Sequence, residues 1–278
     1  VLPHSFRSAL VARLSGARWR VGYGRNGRSA LLNHRVPSLT KERDVHGNWQ
    51  IRPEPMVKHY LHITRAIGCL GANTSEELFY RPGIGEAVDR LLAERGIDRA
   101  KRLIGVNPGA SFGSSKMWGA ERFAALADRL AEDLGAEILL FGGPGEEPIL
   151  DEIRGKMRAK AHFFGPQDAT LATLKAFVDR LDLLVTNDTG PRHYAVAFDK
   201  PAVVIMGPTD PRYTDVNMEL TEVLRRDVPC GPCHLRVCPI DHKCMTEIGP
   251  DEVFGKVQEL LETAEFRLKK VLKRKKRA

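Results

Sequence analysis

From Leu103 onward the chain repeats one pattern five times: a short apolar run, a turn rich in Gly, Pro, Asn or Thr, then a stretch of helical period. "RLIGVNPG" leads to 120–134, "AEILLFGGPG" to 146–157, "HFFGP" to 170–181 and "DLLVTNDTG" to 190–197, and "PAVVIMGPTD" closes the series. Unbroken apolar runs this short suit strands buried on both faces, and their alternation with helices predicts a parallel, doubly wound α/β sheet. Ligands of such sheets lie beyond the carboxyl ends of the strands, which places a site at the turns 107–115, 142–145, 187–190 and 207–210.

The first hundred residues read differently. A helix over 5–14, a strand over 20–23, an irregular stretch over 33–55 and a helix over 56–67 look like the back end of another α/β domain, with a linker over 71–85. Val1-Leu2-Pro3 reads as the end of a buried strand, which predicts further sequence upstream. With 278 residues, 42% of them hydrophobic, the chain can bury a full core, and its size fits two domains or one large one. The division expected is 1–85 for the partial N-terminal domain and linker, 86–266 for the C-terminal domain, and 267–278 for a basic tail.

No stretch reaches the roughly 18 uninterrupted apolar residues of a membrane span, and the start has no basic region followed by a cleavage site, so the cytoplasm is the expected compartment. The net charge of +8 is unevenly spread. Residues 267–278 carry eight bases and no acid, residues 1–41 the same, and residues 42–266 have eight more acids than bases. Clustered arginines suit a phosphorylated or carboxylated partner, or are simply a solvated face and a disordered tail. Nucleic acid is not expected, because no aromatic residues interleave with the tail's charges.

Two turns carry chemistry. In "TNDTGPRH", Asp188 ends a strand, and Thr189 and Gly190 open a helix whose free N–H groups and dipole suit a phosphate. Asp188 is placed to take sugar hydroxyls, or else Asp188 or Thr189 merely caps the helix. In "NPGASFGSSKMW", a strand runs into a Gly/Ser loop ending at Lys116, whose ammonium can face a diphosphate; the spacing is not that of a Walker A loop.

Together with "LLFGGPGEE", "GPTDPR" and "PCGPCHLRVCPIDHKCM", these segments resemble the heptosyltransferase family over essentially the whole chain. The resemblance implies a GT-B architecture of two Rossmann-like domains, the N-terminal one incomplete here and serving the acceptor. The C-terminal domain would bind ADP-heptose, for inverting, metal-independent transfer to a lipid-anchored lipopolysaccharide core at the inner face of the inner membrane, with peripheral contact to anionic lipid. By the same resemblance Lys116 stabilises the leaving diphosphate and Asp188, Thr189 and Gly190 grip heptose and phosphate, with His193 beside them. Ser111 and Ser115 of the hydroxyl loop, Gly143 of the Gly-rich turn and Glu146 as a ribose ligand complete the expected donor site. The family's general base is an aspartate of an opening Gly-Asp loop, and residues 1–41 hold no carboxylate.

Cys230, Cys233, Cys238 and Cys244 admit three readings: a structural zinc shell, a disulfide or redox-sensitive loop, or unligated thiols packing a loop. Cys69 reads as a core residue. Two rival functions remain. A nicotinamide-dependent dehydrogenase would need G-x-G-x-x-G after a strand, which "GGPGEE" lacks. A nucleotide- or zinc-binding interaction module without catalysis is the rival outside enzymology.

Overall fold

A computed structural model describes residues 1–37, 40–44, 47–71 and 73–275. They form two units, the described residues of 1–74 with 210–216, and residues 75–209 with 217–275.

In the first unit, helix α1 (Phe6–Leu14) starts at Ser5, whose hydroxyl accepts the Ser8 N–H at 3.1 Å. Strand β1 (Val21–Tyr23) pairs in parallel with β2 (His34–Val36), and β3 (Lys41–Arg43) pairs antiparallel with β4 (Trp49–Ile51). Helix α2 (Met56–Arg65) buries Ile63 beside Tyr23 and Val36. Two arginines of the basic stretch belong to this scaffold. The fully buried Arg28 donates to the carbonyls of Tyr23, at 2.9 Å, and Pro3, and Arg20 donates to those of Leu31 and Ala17. Cys69 is exposed rather than in a core. The helix predicted to 67 ends at Arg65, and the chain turns away through Gly68 at φ +91°.

The second unit is the doubly wound sheet. Its elements are α3 (Pro82–Glu94), β5 (Leu103–Asn107), α4 (Ala120–Leu134), β6 (Glu137–Phe141), α5 (Glu147–Lys156), β7 (His162–Phe164), α6 (Thr173–Arg180), β8 (Leu183–Asn187), α7 (Gly190–Ala197), β9 (Ala202–Met206), β10 (Thr221–Arg225), α8 (Lys243–Thr246) and α9 (Pro250–Lys275). The six strands lie in the order β10-β9-β8-β5-β6-β7, every pair parallel. Side chains of one face of the sheet, such as Ile104, Val106, Val185 and Ile205, pack with Phe123 and Leu130 of α4, Leu150 of α5, and Phe254 and Val257 of α9. The opposite face, with Leu103, Leu139 and Leu184, packs with Val88 and Leu92 of α3 and Phe177 of α6. Gly105 has no room for a side chain, since a Cβ there would stand 2.3 Å from Leu181 Cδ1.

Three differences from expectation have physical causes. The linker read over 71–85 already contains the start of α3, because Pro82 sits in the first helical turn, where its missing N–H costs nothing. Strand β10 was not foreseen: it lies at the sheet edge, where Glu222 and Arg225 interrupt any apolar run. The described residues of the tail are no loose end, since α9 carries the chain to Lys275, with Arg267 Nη1 on Glu222 at 2.5 Å and Lys275 Nζ on Asp199 at 2.7 Å.

Candidate functional site at the carboxyl edge of the sheet

Strand order reverses between β5 and β8, so the connections leaving their carboxyl ends diverge and open a crevice. Two buried asparagines shape it. Asn187 donates to the carbonyls of Pro108, at 2.7 Å, and Gly109, at 3.3 Å, and accepts the Trp118 N–H, which fixes the loop after β5 against the end of β8. Asn107 donates to the hydroxyls of Thr186 and Thr189.

Beyond these groups lies a cavity of about 370 Å³. Ser111, Gly143, Glu146, Thr189 and Gly190 supply its polar lining, and Phe141, Leu171 and Leu174 its apolar walls. A ring system against the apolar wall and polar groups toward the strand ends would match that division. Glu146 closes the Gly-rich turn, its Oε2 accepting the Gly143 N–H at 2.8 Å. Its carboxyl lies so close to Gly109 that a Cβ there would stand 2.0 Å away. At Gly190 nothing lies within 4 Å of such a Cβ, so the start of α7 is open to a ligand.

At the end of β8, three side chains meet Asp188. Its Oδ2 accepts from Lys116 Nζ at 2.7 Å and from the Thr209 hydroxyl at 2.6 Å, and its Oδ1 accepts from Arg192 Nη1 at 2.8 Å. Lys116 also donates to the Asp188 carbonyl at 2.9 Å and lies over the Phe112 ring at 5.1 Å. Burial opposes the carboxylate's charge, but the cations Lys116 and Arg192, with the hydrogen bonds from Lys116 and Thr209, hold its pKa down at about 2. Asp188 is not the helix cap: Thr189 occupies that position, and no side chain caps α7.

The structure therefore brings Ser111, Gly143, Glu146, Thr189 and Gly190 to one cavity and pairs Lys116 with Asp188. It places Ser115 and His193 elsewhere. Ser115 is buried in a tight turn facing the 230–244 loop, where its hydroxyl donates to Leu235 O at 2.5 Å, its N–H to Arg236 O at 3.1 Å, and its carbonyl contacts His242 Nε2 at 2.6 Å. His193 is 44% exposed and pairs with Glu76 at 3.4 Å. Arg192 and Thr209 were not foreseen, although both stand inside the quoted "TNDTGPRH" and "GPTDPR"; only the fold shows that they share one carboxylate.

The four loop cysteines are free thiols around a cavity of about 20 Å³. Among the described residues no group of three or more His, Cys, Asp or Glu is placed to hold a metal ion. Burial and the nearness of the other three sulfurs push the Cys244 thiol up to about 11.

The first unit has its own cavity, about 770 Å³ in volume. Arg52, Lys58, Arg65 and Arg212 line it with the carboxylates of Glu54 and Asp215, a surplus of cations drawn from outside the basic stretch 1–41. Arg212 is braced by Asp210 at 2.7 Å and Glu42 at 2.9 Å.

Comparison with known proteins adds sequence relatives and a shared fold. The profile of glycosyltransferase family 9 (heptosyltransferase) matches residues 1–244. Lipooligosaccharide heptosyltransferase 2 of Campylobacter jejuni (serotype O:2) is 33% identical over 171 residues, 59% of this chain and 52% of the relative, so the chain spans about half the length of that relative. The protein of the same name from Haemophilus influenzae is 29% identical over 94% of this chain and 75% of its own length. Among solved structures, that of E. coli ADP-heptose lps heptosyltransferase II superposes with a TM-score of 0.73 at 23% identity, covering 95% of this chain and 76% of that one. The fold is accordingly GT-B.

Proposed function

Because this chain belongs to glycosyltransferase family 9 (heptosyltransferase), we propose that it carries the nucleotide-sugar site of an inverting transferase. That enzyme takes heptose from ADP-L-glycero-D-manno-heptose and adds it to the inner core of lipopolysaccharide, as a heptosyltransferase II. The observation that carries this reading is a largely apolar cavity with polar groups at Ser111, Glu146 and Thr189, together with the Lys116–Asp188 contact at the end of β8.

In this reading adenine lies against Phe141, Leu171 and Leu174, and ribose approaches Glu146. The diphosphate meets the start of α7 at Thr189 and Gly190. Lys116 leaves Asp188 for the diphosphate and balances the charge that grows on it as the glycosidic bond breaks. Asp188 then turns its freed oxygen to heptose hydroxyls. The transferred sugar inverts because the acceptor hydroxyl attacks the anomeric carbon from the side opposite the departing ADP. The base assigned by the family resemblance has no counterpart in residues 1–41, which lack carboxylates. The cationic cavity of the first unit suits the phosphorylated core sugar of a lipid-anchored acceptor, presented at the cytoplasmic face of the inner membrane. Among the described residues no helix is long and apolar enough to cross a membrane.

Calorimetric titration of the chain with ADP-heptose, NAD and Zn²⁺ tests the reading. Binding of ADP-heptose and ADP, without NAD, is expected. Binding of NAD in preference to ADP-heptose would replace the transferase reading with the dehydrogenase one, and binding of Zn²⁺ alone would favour an interaction module.

A further inference from the structure

The Lys116–Asp188 contact poses a problem for any anionic ligand. Taken alone, the pair is neutral and buried, with side chains 13% and 10% exposed, and it offers a diphosphate no net attraction. Drawing Lys116 away would leave a buried carboxylate without its cation, which is costly. Arg192 changes both conditions. Its side chain is 1% exposed, so it cannot turn to solvent, and helix α7 holds it one turn from Asp188 with Nη1 2.8 Å from Oδ1. The oxygen it occupies is not the one Lys116 uses, and Thr209 donates to the latter independently.

We infer that Arg192 is a positioning residue of the donor site: it takes over the charge of Asp188, so that one positive charge in the Lys116–Asp188–Arg192 cluster is left for the diphosphate. The inference rests on the donor-site reading above. When Lys116 swings to the ligand, Asp188 keeps a guanidinium and a hydroxyl. Arg192 need not touch the ligand to act.

The test is a charge series read by calorimetry with ADP and with adenosine, which lacks the phosphates. Arg192→Met keeps the length and apolar stem of the side chain but makes the cluster neutral, and ADP affinity should fall about tenfold or more while adenosine affinity holds. Arg192→Lys, restoring the charge, should bind ADP within about threefold of wild type. The double variant Asp188→Asn with Arg192→Met again leaves one positive charge, on Lys116, and should recover much of the ADP affinity lost by Arg192→Met alone. A purely structural role predicts the opposite, with the double variant worse than either single one. Unchanged ADP binding in Arg192→Met, equal losses of ADP and adenosine, or no recovery in the double variant would overturn the inference. If Arg192→Met does not fold, failure of Arg192→Lys to bind ADP while still binding adenosine decides against it. Wild-type protein that binds no ADP would instead sink the donor-site reading, and the role of Arg192 with it.

Discussion

Replacing Asp188 by Asn removes one charge from the buried cluster and leaves the shape nearly unchanged. The carboxyl's pKa lies at about 2 against an ordinary 3.8, and at about 1.4 kcal/mol per pH unit that difference favours the ionised form by about 2 kcal/mol. The amide keeps one acceptor for Arg192 or for Lys116 and Thr209, but not for all three, and turns a donor toward the remainder. Unfolding of the sheet unit should therefore cost about 2–4 kcal/mol less at pH 7, a fall of about 5–10 °C in melting temperature for a unit of this size. The sign in acid follows from the depressed pKa: Asp188 stabilises the fold above the ordinary value, and this contribution is lost as pH falls from 3.8 through about 2. Wild type and Asp188→Asn should thus converge toward pH 2. Fluorescence of Trp118, buried and bonded through Nε1 to the Ile248 carbonyl at 2.8 Å, can follow the transition. Ligand binding should move the other way, because the cluster gains positive charge: ADP should bind the variant no more weakly than wild type, and ADP-heptose should lose affinity relative to ADP. An unchanged melting temperature at pH 7, or weaker binding of ADP, would refute this account of the carboxylate.

Other substitutions probe neighbouring parts of the molecule. Lys116→Ala should weaken ADP binding by roughly ten- to a hundredfold, the worth of one charge-assisted contact of about 1.5–3 kcal/mol, as measured by calorimetry. Gly109→Ala should displace the Glu146 carboxyl, which a new Cβ would meet at 2.0 Å, and so lower ADP affinity while the melting temperature moves little, because the clash is with the movable end of a side chain. Gly105→Ala meets Leu181 at 2.3 Å inside the sheet and should cost about 1–3 kcal/mol in chemical denaturation. In the first unit, burial, then the nearby charges of Arg25, Arg28 and His59, lower the His4 pKa from 6.5 to about 4. The unit should lose stability as pH falls through that interval, and His4→Gln should flatten the dependence in limited proteolysis followed against pH.

What could be read from the sequence follows its local chemistry. Helices α4 and α7 have the predicted bounds because a glycine precedes the first and begins the second, and α4 adds a strong apolar period. Strands β5, β6, β8 and β9 are buried at nearly every position, and such runs need no partner to be recognised. Strand β10 depends on β9 for its pairing, and Thr221-Glu222-Val223-Leu224-Arg225 shows neither an unbroken apolar run nor a clean alternation. The return of 210–216 to the first unit is equally invisible, because it is a matter of distant contacts and not of local propensity. At the site, residue types that suggest phosphate and sugar chemistry pointed to Lys116, Asp188, Thr189 and Gly190. Ser115 shared the composition of its loop but not its direction, since the tight turn at 114–116 faces its hydroxyl away from the cavity. Arg192 was hidden because an arginine in the first turn of a helix ordinarily faces water.

The 230–244 loop gives an experimenter an internal clock. It grips the Lys116 loop largely through its own main chain, by the carbonyls of Leu235 and Arg236, and Gly113 lies so near that a Cβ there would stand 2.2 Å from Arg236 O. The buried thiol of Cys244 lines one small cavity with Ser115 and His242 of that contact. Burial pushes its pKa up to about 11, so at pH 7 it is held as the thiol and reacts slowly. Cys69 stands exposed in the other unit and offers a reference on the same chain. The rate at which an alkylating reagent marks Cys244, set against Cys69, measures how often the loop lets go, and ligands that fasten the Lys116 loop will be seen to slow it.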